Sequence, residues 1–228
     1  MELKLAQALS LPAGAKVLDA GAGVADVASF MARKGLHIEA IDLVDRHIKL
    51  AKKNIAARGL EDKINIQKMN YQDLGAFKNE NFDGVYTMET FVHATDPEKA
   101  LSEFYRVLKP GGKLALIEYD RAKDADMPLA ARKAFEQVNK YASMPTFQRF
   151  TYGVPEQILR DAGFKNIAIE DITPHILPML RLFAIAAYLP YKLFSLLHLE
   201  HKFVNAMSAV EYYRYRKYLR YVVITATR

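Results

Sequence analysis

Within the first 42 residues the chain sets out a strand, a glycine-rich turn, a helix and a second strand, an order that few folds accommodate. Lys16–Asp19 (KVLD) is a short apolar run ending in Asp19-Ala20-Gly21-Ala22-Gly23. Val24, Val27, Ala28 and Met31 then recur at helical spacing until Gly35 stops the helix, and His37–Asp42 alternates as the next strand. The pattern repeats. Asp45 is placed to cap a helix with Ile48, Ala51 and Ile55 on one face, and Gly59 ends it. Ile64 and Ile66 mark a third strand and Phe82–Met88 a fourth. Asp96-Pro97 caps and opens the helix carrying Ala100, Leu101, Phe104 and Leu108, and Pro110-Gly111-Gly112 turns into a fifth strand, Lys113–Tyr119. Strands separated by helices of this length imply right-handed crossovers, hence a doubly wound, mostly parallel α/β sheet.

After Tyr119 the pattern loosens. Helices are expected near Pro128–Tyr141 and Pro155–Ala162, and a strand at Asn166–Ile172. Residues 173–217 form an apolar, aromatic block of helical period, and Tyr221–Thr227 closes the chain as a β-branched strand. The count comes to seven strands. The block reads as a helical cap inserted between the last two of them, which would pair as an antiparallel edge, and residues 1–228 read as a single domain. Met1–Leu11 lacks the basic stretch and cleavage site of a signal peptide and reads as a short amphipathic helix ending before Pro12.

The 228 residues suffice for a substantial core, and the absence of cysteine excludes disulfides, thiolate metal sites and a cysteine nucleophile. A reducing cytoplasm is the expected setting. The net charge of +6 permits nucleic acid, anionic lipid or acidic substrates as partners, and equally a solvated basic surface. No metal site is expected, because His175, His198, His201 and Glu200 lie in the apolar region without a ligand constellation.

In an open α/β sheet, ligands bind beyond the carboxyl ends of the strands, near the switch in strand order. Glycines at the first such end let the backbone approach a ligand without Cβ interference. Asp42, 19 residues after Gly23, is placed to accept from both hydroxyls of a ribose. NAD enzymes carry similar turns, but their G-x-G-x-x-G fingerprint needs glycine where Asp26 stands, and an acid there faces a pyrophosphate unfavourably. S-adenosylmethionine (SAM) has no phosphate and carries cationic groups, which suits an acidic loop.

Residues 16–42 resemble the first two motifs of class I SAM-dependent methyltransferases, and Arg106–Lys113 (RVLKPGGK) resembles a later one. Asn81–Leu101 (NFDGVYTMETFVHATDPEKAL) is similar to the branch containing sterol C-24, tocopherol and ubiquinone/menaquinone methyltransferases. The resemblance covers residues 14–120 well and the rest only in layout. It implies that Asp19, Gly21 and Gly23 hold the methionine moiety of SAM, Asp42 the ribose, and Leu43, Asn70 and Tyr71 the adenine. Met88 and Glu89 would then lie near the transferable methyl. Two departures stand out. Ala25 occupies the place of a third glycine, and relatives often carry N-terminal helices over the cofactor that this chain has little room for. Its site is expected to be more open than theirs, or to have lost its cover.

Methyl transfer from a sulfonium mainly needs alignment, and a general base only where the acceptor loses a proton. His93 is the candidate base, against a loop histidine that merely caps or packs. Glu89 could stabilise a carbocation, or be a carboxylate satisfied by backbone amides. Tyr119 and Asp120, with Phe183 and Tyr188 of the apolar block, are candidates for the acceptor pocket.

Leu182, Ile185, Leu189, Leu193, Leu196 and Leu197 give residues 176–199 a broad apolar face, interrupted by Arg181, Pro190 and Lys192 and so not read as a membrane span. The segment could pack on the core, form a lid over an apolar acceptor, or touch a membrane surface. Together these features favour a SAM-dependent methyltransferase of a lipophilic small molecule (terpenoid, sterol-like or prenylated), with carbon slightly preferred as the methylated atom. A non-catalytic lipid- or partner-binding protein on the same fold stays open. A nucleic-acid methyltransferase is disfavoured, since Met88-Glu89-Thr90-Phe91 replaces the Asn/Asp-Pro-Pro-aromatic motif of base-methylating enzymes.

Overall fold

A computed structural model describes residues 1–228. The elements run α1 (Glu2–Leu9), β1 (Lys16–Ala20), α2 (Asp26–Arg33), β2 (His37–Asp42), α3 (Asp45–Ala57), β3 (Ile64–Lys68), β4 (Phe82–Met88), α4 (Pro97–Val107) and β5 (Leu108–Arg121). Then follow α5 (Leu129–Ala142), α6 (Pro145–Arg149), α7 (Val154–Asp161), β6 (Lys165–Asp171), α8 (Thr173–Leu196), α9 (Val204–Arg214) and β7 (Leu219–Thr227). The seven strands form one sheet in the order β3-β2-β1-β4-β5-β7-β6. β1 pairs in parallel with β2 on one side and β4 on the other, so the strand order reverses at the carboxyl end of β1. That end is where the glycine turn begins.

The core strands are short and apolar for a physical reason: helices cover both faces, so side chains of either orientation are buried. Val17, Leu18, Ala40, Ile41, Val85 and Tyr86 are almost fully enclosed. α4 starts as expected, with Asp96 accepting from the Lys99 amide at 2.9 Å and Pro97 in its first turn. Asp45 differs. Val44 is the cap residue of α3 and Asp45 its first helical residue, where the carboxylate meets Lys68 Nζ at 2.8 Å instead of a backbone amide. β5 is longer than expected, because Pro110-Gly111-Gly112 belongs to the strand. β7 supplies the partners there: Gly111 N donates to Arg228 O, and Arg228 N donates to Gly112 O. This reciprocal exchange makes β7 antiparallel to β5.

The chain divides into two compact units, one of residues 1–118, 156–169 and 223–228, the other of residues 119–155 and 170–222. The first holds β1 to β4 and the helices α1 to α4. The second has an aromatic interior, in which Phe135, Phe147, Tyr212 and Tyr221 are buried and the Tyr119 ring lies tilted against Tyr221 at 4.8 Å. Beneath that cluster Asp120, with no exposure, forms an ion pair with Arg220, whose guanidinium also lies 4.1 Å from the Tyr152 ring.

α8 is continuous over 24 residues despite Pro178 and Pro190, and only Ala184 on it is buried. Leu182, Ile185 and Leu189 are 64%, 63% and 77% exposed. By length and composition it could cross a bilayer. Arg181 and Lys192 interrupt its apolar surface.

Candidate functional site

At the carboxyl ends of β1, β2 and β4 lies a cleft of about 580 Å3. It is lined by Gly21 and Gly23 from the first turn, Asp42, Leu43, Val44 and His47 from the second, Met69 to Gln72 after β3, and Met88 to Thr90 with His93 to Thr95 after β4. Of the ten residues assigned by sequence to cofactor and catalysis, nine share this one cleft. The tenth, Asp19, sits behind the turn with 2% exposure.

The turn has its shape because glycine is required there twice over. Gly21 takes φ +99°, and a Cβ on it would run into the Thr90 side chain. Gly23, at φ +54°, has nothing within 4 Å of where a Cβ would stand, so its face is open to a ligand. Asp42 ties the second strand end to this turn: its Oδ2 accepts from Gly23 N at 2.9 Å, and its Oδ1 accepts from Val44 N at 2.8 Å with His47 Nδ1 at 3.3 Å. A carboxylate offers about four acceptor sites, so room remains for ribose hydroxyls.

Asp19 stands opposite Tyr86 in the β1–β4 register, and the Tyr86 hydroxyl donates to its Oδ2 at 2.8 Å. Burial pushes its pKa up to about 7, the nearby Asp42 charge adds to this, and the tyrosine bond opposes it. Burial and the same contact hold Tyr86 well above the ordinary phenol range. A buried carboxyl with only a hydroxyl for company is suited to a cation arriving from outside.

The remaining walls are largely apolar, with polar groups held by backbone bonds. The Asn70 side-chain oxygen accepts from Gln72 N at 2.9 Å, which leaves its NH2 for a ligand. Tyr71 donates its hydroxyl to Thr90 O at 3.0 Å and stacks against Phe91, so it braces the loop after β4. On that loop Glu89 and His93 are exposed in the cleft, and Glu89 holds a left-handed φ of +55°.

These residues fit SAM. The open Gly23 face, the ribose-ready Asp42 and the uncompensated Asp19 match its backbone contact, sugar and cationic groups in turn. Bound there, the cofactor supplies an electrophilic methyl group on a sulfonium.

The four residues assigned to the acceptor belong to the second unit. Tyr119 is in the aromatic interior. Asp120 is not free to meet a ligand, because Arg220 Nε and Nη2 occupy its two oxygens at 3.0 and 2.5 Å. Burial raises its pKa, against the opposing pull of Arg220. Phe183 and Tyr188 are 54% and 46% exposed on α8, and Tyr188 borders a groove of about 350 Å3 with Ala184, Ile185, Val210, Tyr213 and Arg214.

Sequence reasoning missed His47, Thr90, Tyr86 and Glu118. Tyr86 could have been found by laying β4 beside β1 in parallel register, and Thr90 by its place between Glu89 and Phe91. His47 sits in the first turn of α3, where a basic residue gives no motif. Glu118 reads only as one polar residue in an apolar strand.

Residues 18–116 match a family described as "Methyltransferase domain". The chain is similar to an S-adenosyl-L-methionine-dependent Diels-Alderase of Talaromyces variabilis, 36% identical over 232 residues that span all of this chain and 80% of that protein. Among solved structures it resembles the [4+2]-cyclase SpnF, with a TM-score of 0.78 and 21% identity over 100% of this chain and 79% of that one. It also resembles geranyl diphosphate methyltransferase in complex with its substrate and sinefungin, with a TM-score of 0.78 and 19% identity over 100% and 77%. At these identities the two structures speak for the fold alone.

Proposed function

The chain belongs to the SAM-dependent methyltransferases, and from that premise we propose that it methylates a lipophilic small molecule, terpenoid, sterol-like or prenylated, at carbon. It is an enzyme with SAM as its cofactor. One observation carries the proposal: the cleft that fits the nucleoside also holds Glu89 and His93, both on the loop after β4. A carboxylate there faces positive charge building on an alkene carbon. A His93 ring nitrogen takes the proton that the methylated carbon loses.

The apolar character of the acceptor is supported by the name of the geranyl diphosphate enzyme, whose substrate is an isoprenoid. It is supported also by the exposed leucines of α8. Contact of residues 176–199 with a membrane surface on the cytoplasmic side belongs to the same reading, as the place where such an acceptor meets the protein. Sedimentation with vesicles checks that contact. The proposal itself is tested by incubating the purified protein with SAM and a panel of terpenoid, sterol and prenylated acceptors. Formation of S-adenosylhomocysteine together with a product heavier by one methyl group is expected. Intact SAM with every acceptor would sink it.

A second reading has a specific observation behind it. The relative matched along the whole of this chain is named a Diels-Alderase and one structural neighbour a [4+2]-cyclase. On that reading the same cleft holds SAM without consuming it, and the acceptor is a polyene that closes a ring. A product of unchanged mass with SAM intact would favour it over methyl transfer.

A further inference from the structure

The mechanism proposed above leaves the buried acid Glu118 unused. Glu118, near the end of β5, has no solvent exposure. Its Oε1 gathers three donors, two from the loop after β4 and one from β4 itself: Phe91 N at 2.6 Å, Thr90 N at 3.0 Å and Thr87 Oγ1 at 3.2 Å. Its Oε2 is buried with no protein group donating to it. Burying a carboxyl in this way is costly, and an apolar residue would fill the same place without that cost. The cost is met where the carboxyl does something an apolar residue cannot.

We propose that Glu118 is a positioning residue that locks the Met88–Thr95 loop onto the glycine turn, so that the groups meeting the acceptor and those meeting the cofactor move as one body. Thr90 is the link. Its amide is held by Glu118, its carbonyl accepts from Tyr71, and its side chain fills the notch that Gly21 leaves by having no Cβ. Glu89, one residue before, is held in a left-handed conformation that a non-glycine residue adopts at a cost of about 1–2 kcal/mol. The bond from Glu89 N to Ile117 O and the two amides bound by Glu118 are what keep the backbone there. Glu118 therefore sets where Glu89 and His93 stand without touching a substrate. Burial pushes its pKa up to about 8, with the charge of Glu89 adding to the shift and the Phe91 and Thr90 amides and the Thr87 hydroxyl opposing it.

Three variants of the full chain, Glu118→Met, Glu118→Gln and Glu118→Asp, test the assignment through hydrogen exchange and S-adenosylhomocysteine binding. Methionine fills the space but removes the acceptor. Exchange in peptides covering residues 86–95 should quicken at least tenfold relative to residues 16–20, with Kd rising about tenfold. Glutamine keeps an oxygen in place and should restore both to within threefold of the parent. Aspartate keeps the carboxyl but withdraws the oxygen by one methylene, and should behave like methionine. If Glu118→Met fails to fold, the Asp and Gln variants decide between themselves. Loss of thermal stability in Met and Asp with unchanged Kd and uniform exchange would overturn the proposal and make Glu118 a core residue only. Neither readout needs an acceptor. Failure to methylate any acceptor would therefore count against the proposed reaction and leave this assignment standing.

Discussion

The cofactor cleft and the α8 helix handle apolar and polar groups in opposite ways. In the cleft several polar groups are tied to the backbone. Asp42 binds two amides, Glu118 binds two more, and Asn70 and Tyr71 each fix a neighbouring turn. Along α8 the side chains are apolar and mostly exposed, and Ala184 is the only buried one. A ligand that is always the same can be matched by a rigid backbone pattern. A surface for an apolar molecule or a lipid needs only area, and many sequences supply it.

The widest gap expected between the two regions is in stability. Phe104→Ala empties a fully enclosed site in α4 and should cost about 3–5 kcal/mol. Leu189→Ala, at 77% exposure, should stay within about 0.5 kcal/mol. Urea unfolding of the two variants checks this, and a large loss at Leu189 would mean that α8 is packed in solution.

Ligand binding should divide the regions nearly as sharply. Asp42→Ala removes the charged acceptor proposed to receive two ribose hydroxyls and frees the turn at Gly23. At about 1.5–3 kcal/mol for each such bond, S-adenosylhomocysteine should bind about 10²–10⁴-fold more weakly by calorimetry. Tyr188→Ala should leave that affinity unchanged. If it does not, the groove on α8 and the cleft are not independent.

The second unit also contains one feature built like the cleft, and it sharpens the contrast. Removing Arg220 leaves Asp120 buried beside Tyr152 with no counter-charge. Arg220→Ala should therefore destabilise by about 3 kcal/mol, less than a fully enclosed pair because Arg220 is 32% exposed. Thermal unfolding measures it. A null result would show that water reaches Asp120.

Acidity distinguishes the cleft in a further way. Asp19 has its pKa at about 7 in the fold, above that of an ordinary carboxyl. The folded state thus binds the extra proton, and this contribution to stability is full at low pH and is lost as pH rises through 7. Binding of the cationic cofactor runs the other way, since it favours the ionised form. Between pH 6 and 8 the SAM affinity should strengthen by up to about tenfold, with the release of up to about one proton visible in calorimetry across buffers. Asp19→Asn should flatten the dependence.

Much of this was legible in the chain and some was not, for identifiable reasons. Strand and helix order followed from apolar spacing, and Gly21, Gly23 and Asp42 from the position of strand ends. These are local signals. Glu118 and Tyr86 act through partners 27 to 67 residues away across the sheet, so only strand register could reveal them. Asp120 was misleading for the same reason. Its end-of-strand place suggested a pocket wall, while its partner Arg220 lies 100 residues on. The extension of β5 through Pro110-Gly111-Gly112 was hidden because glycines signal a turn, and it took the distant β7 to pair them.

The smallest effect expected tests how tightly the cleft's backbone pattern is specified. Ala25 stands where the family resemblance implies a third glycine, and it holds φ +64° as the cap residue of α2, fully buried. An L-residue in that conformation costs about 1–2 kcal/mol relative to glycine. Against this, Ala25→Gly removes a buried methyl worth about 0.8 kcal/mol and frees the unfolded chain by about 0.4–1 kcal/mol. The terms nearly cancel, so the variant should melt close to the parent and bind S-adenosylhomocysteine equally well. The Ala25 carbonyl, which accepts from Ser29 Oγ at 2.6 Å, keeps its partner in either case. A gain above about 1.5 kcal/mol would mean that strain outweighs packing here, and that alanine is retained for a reason other than stability.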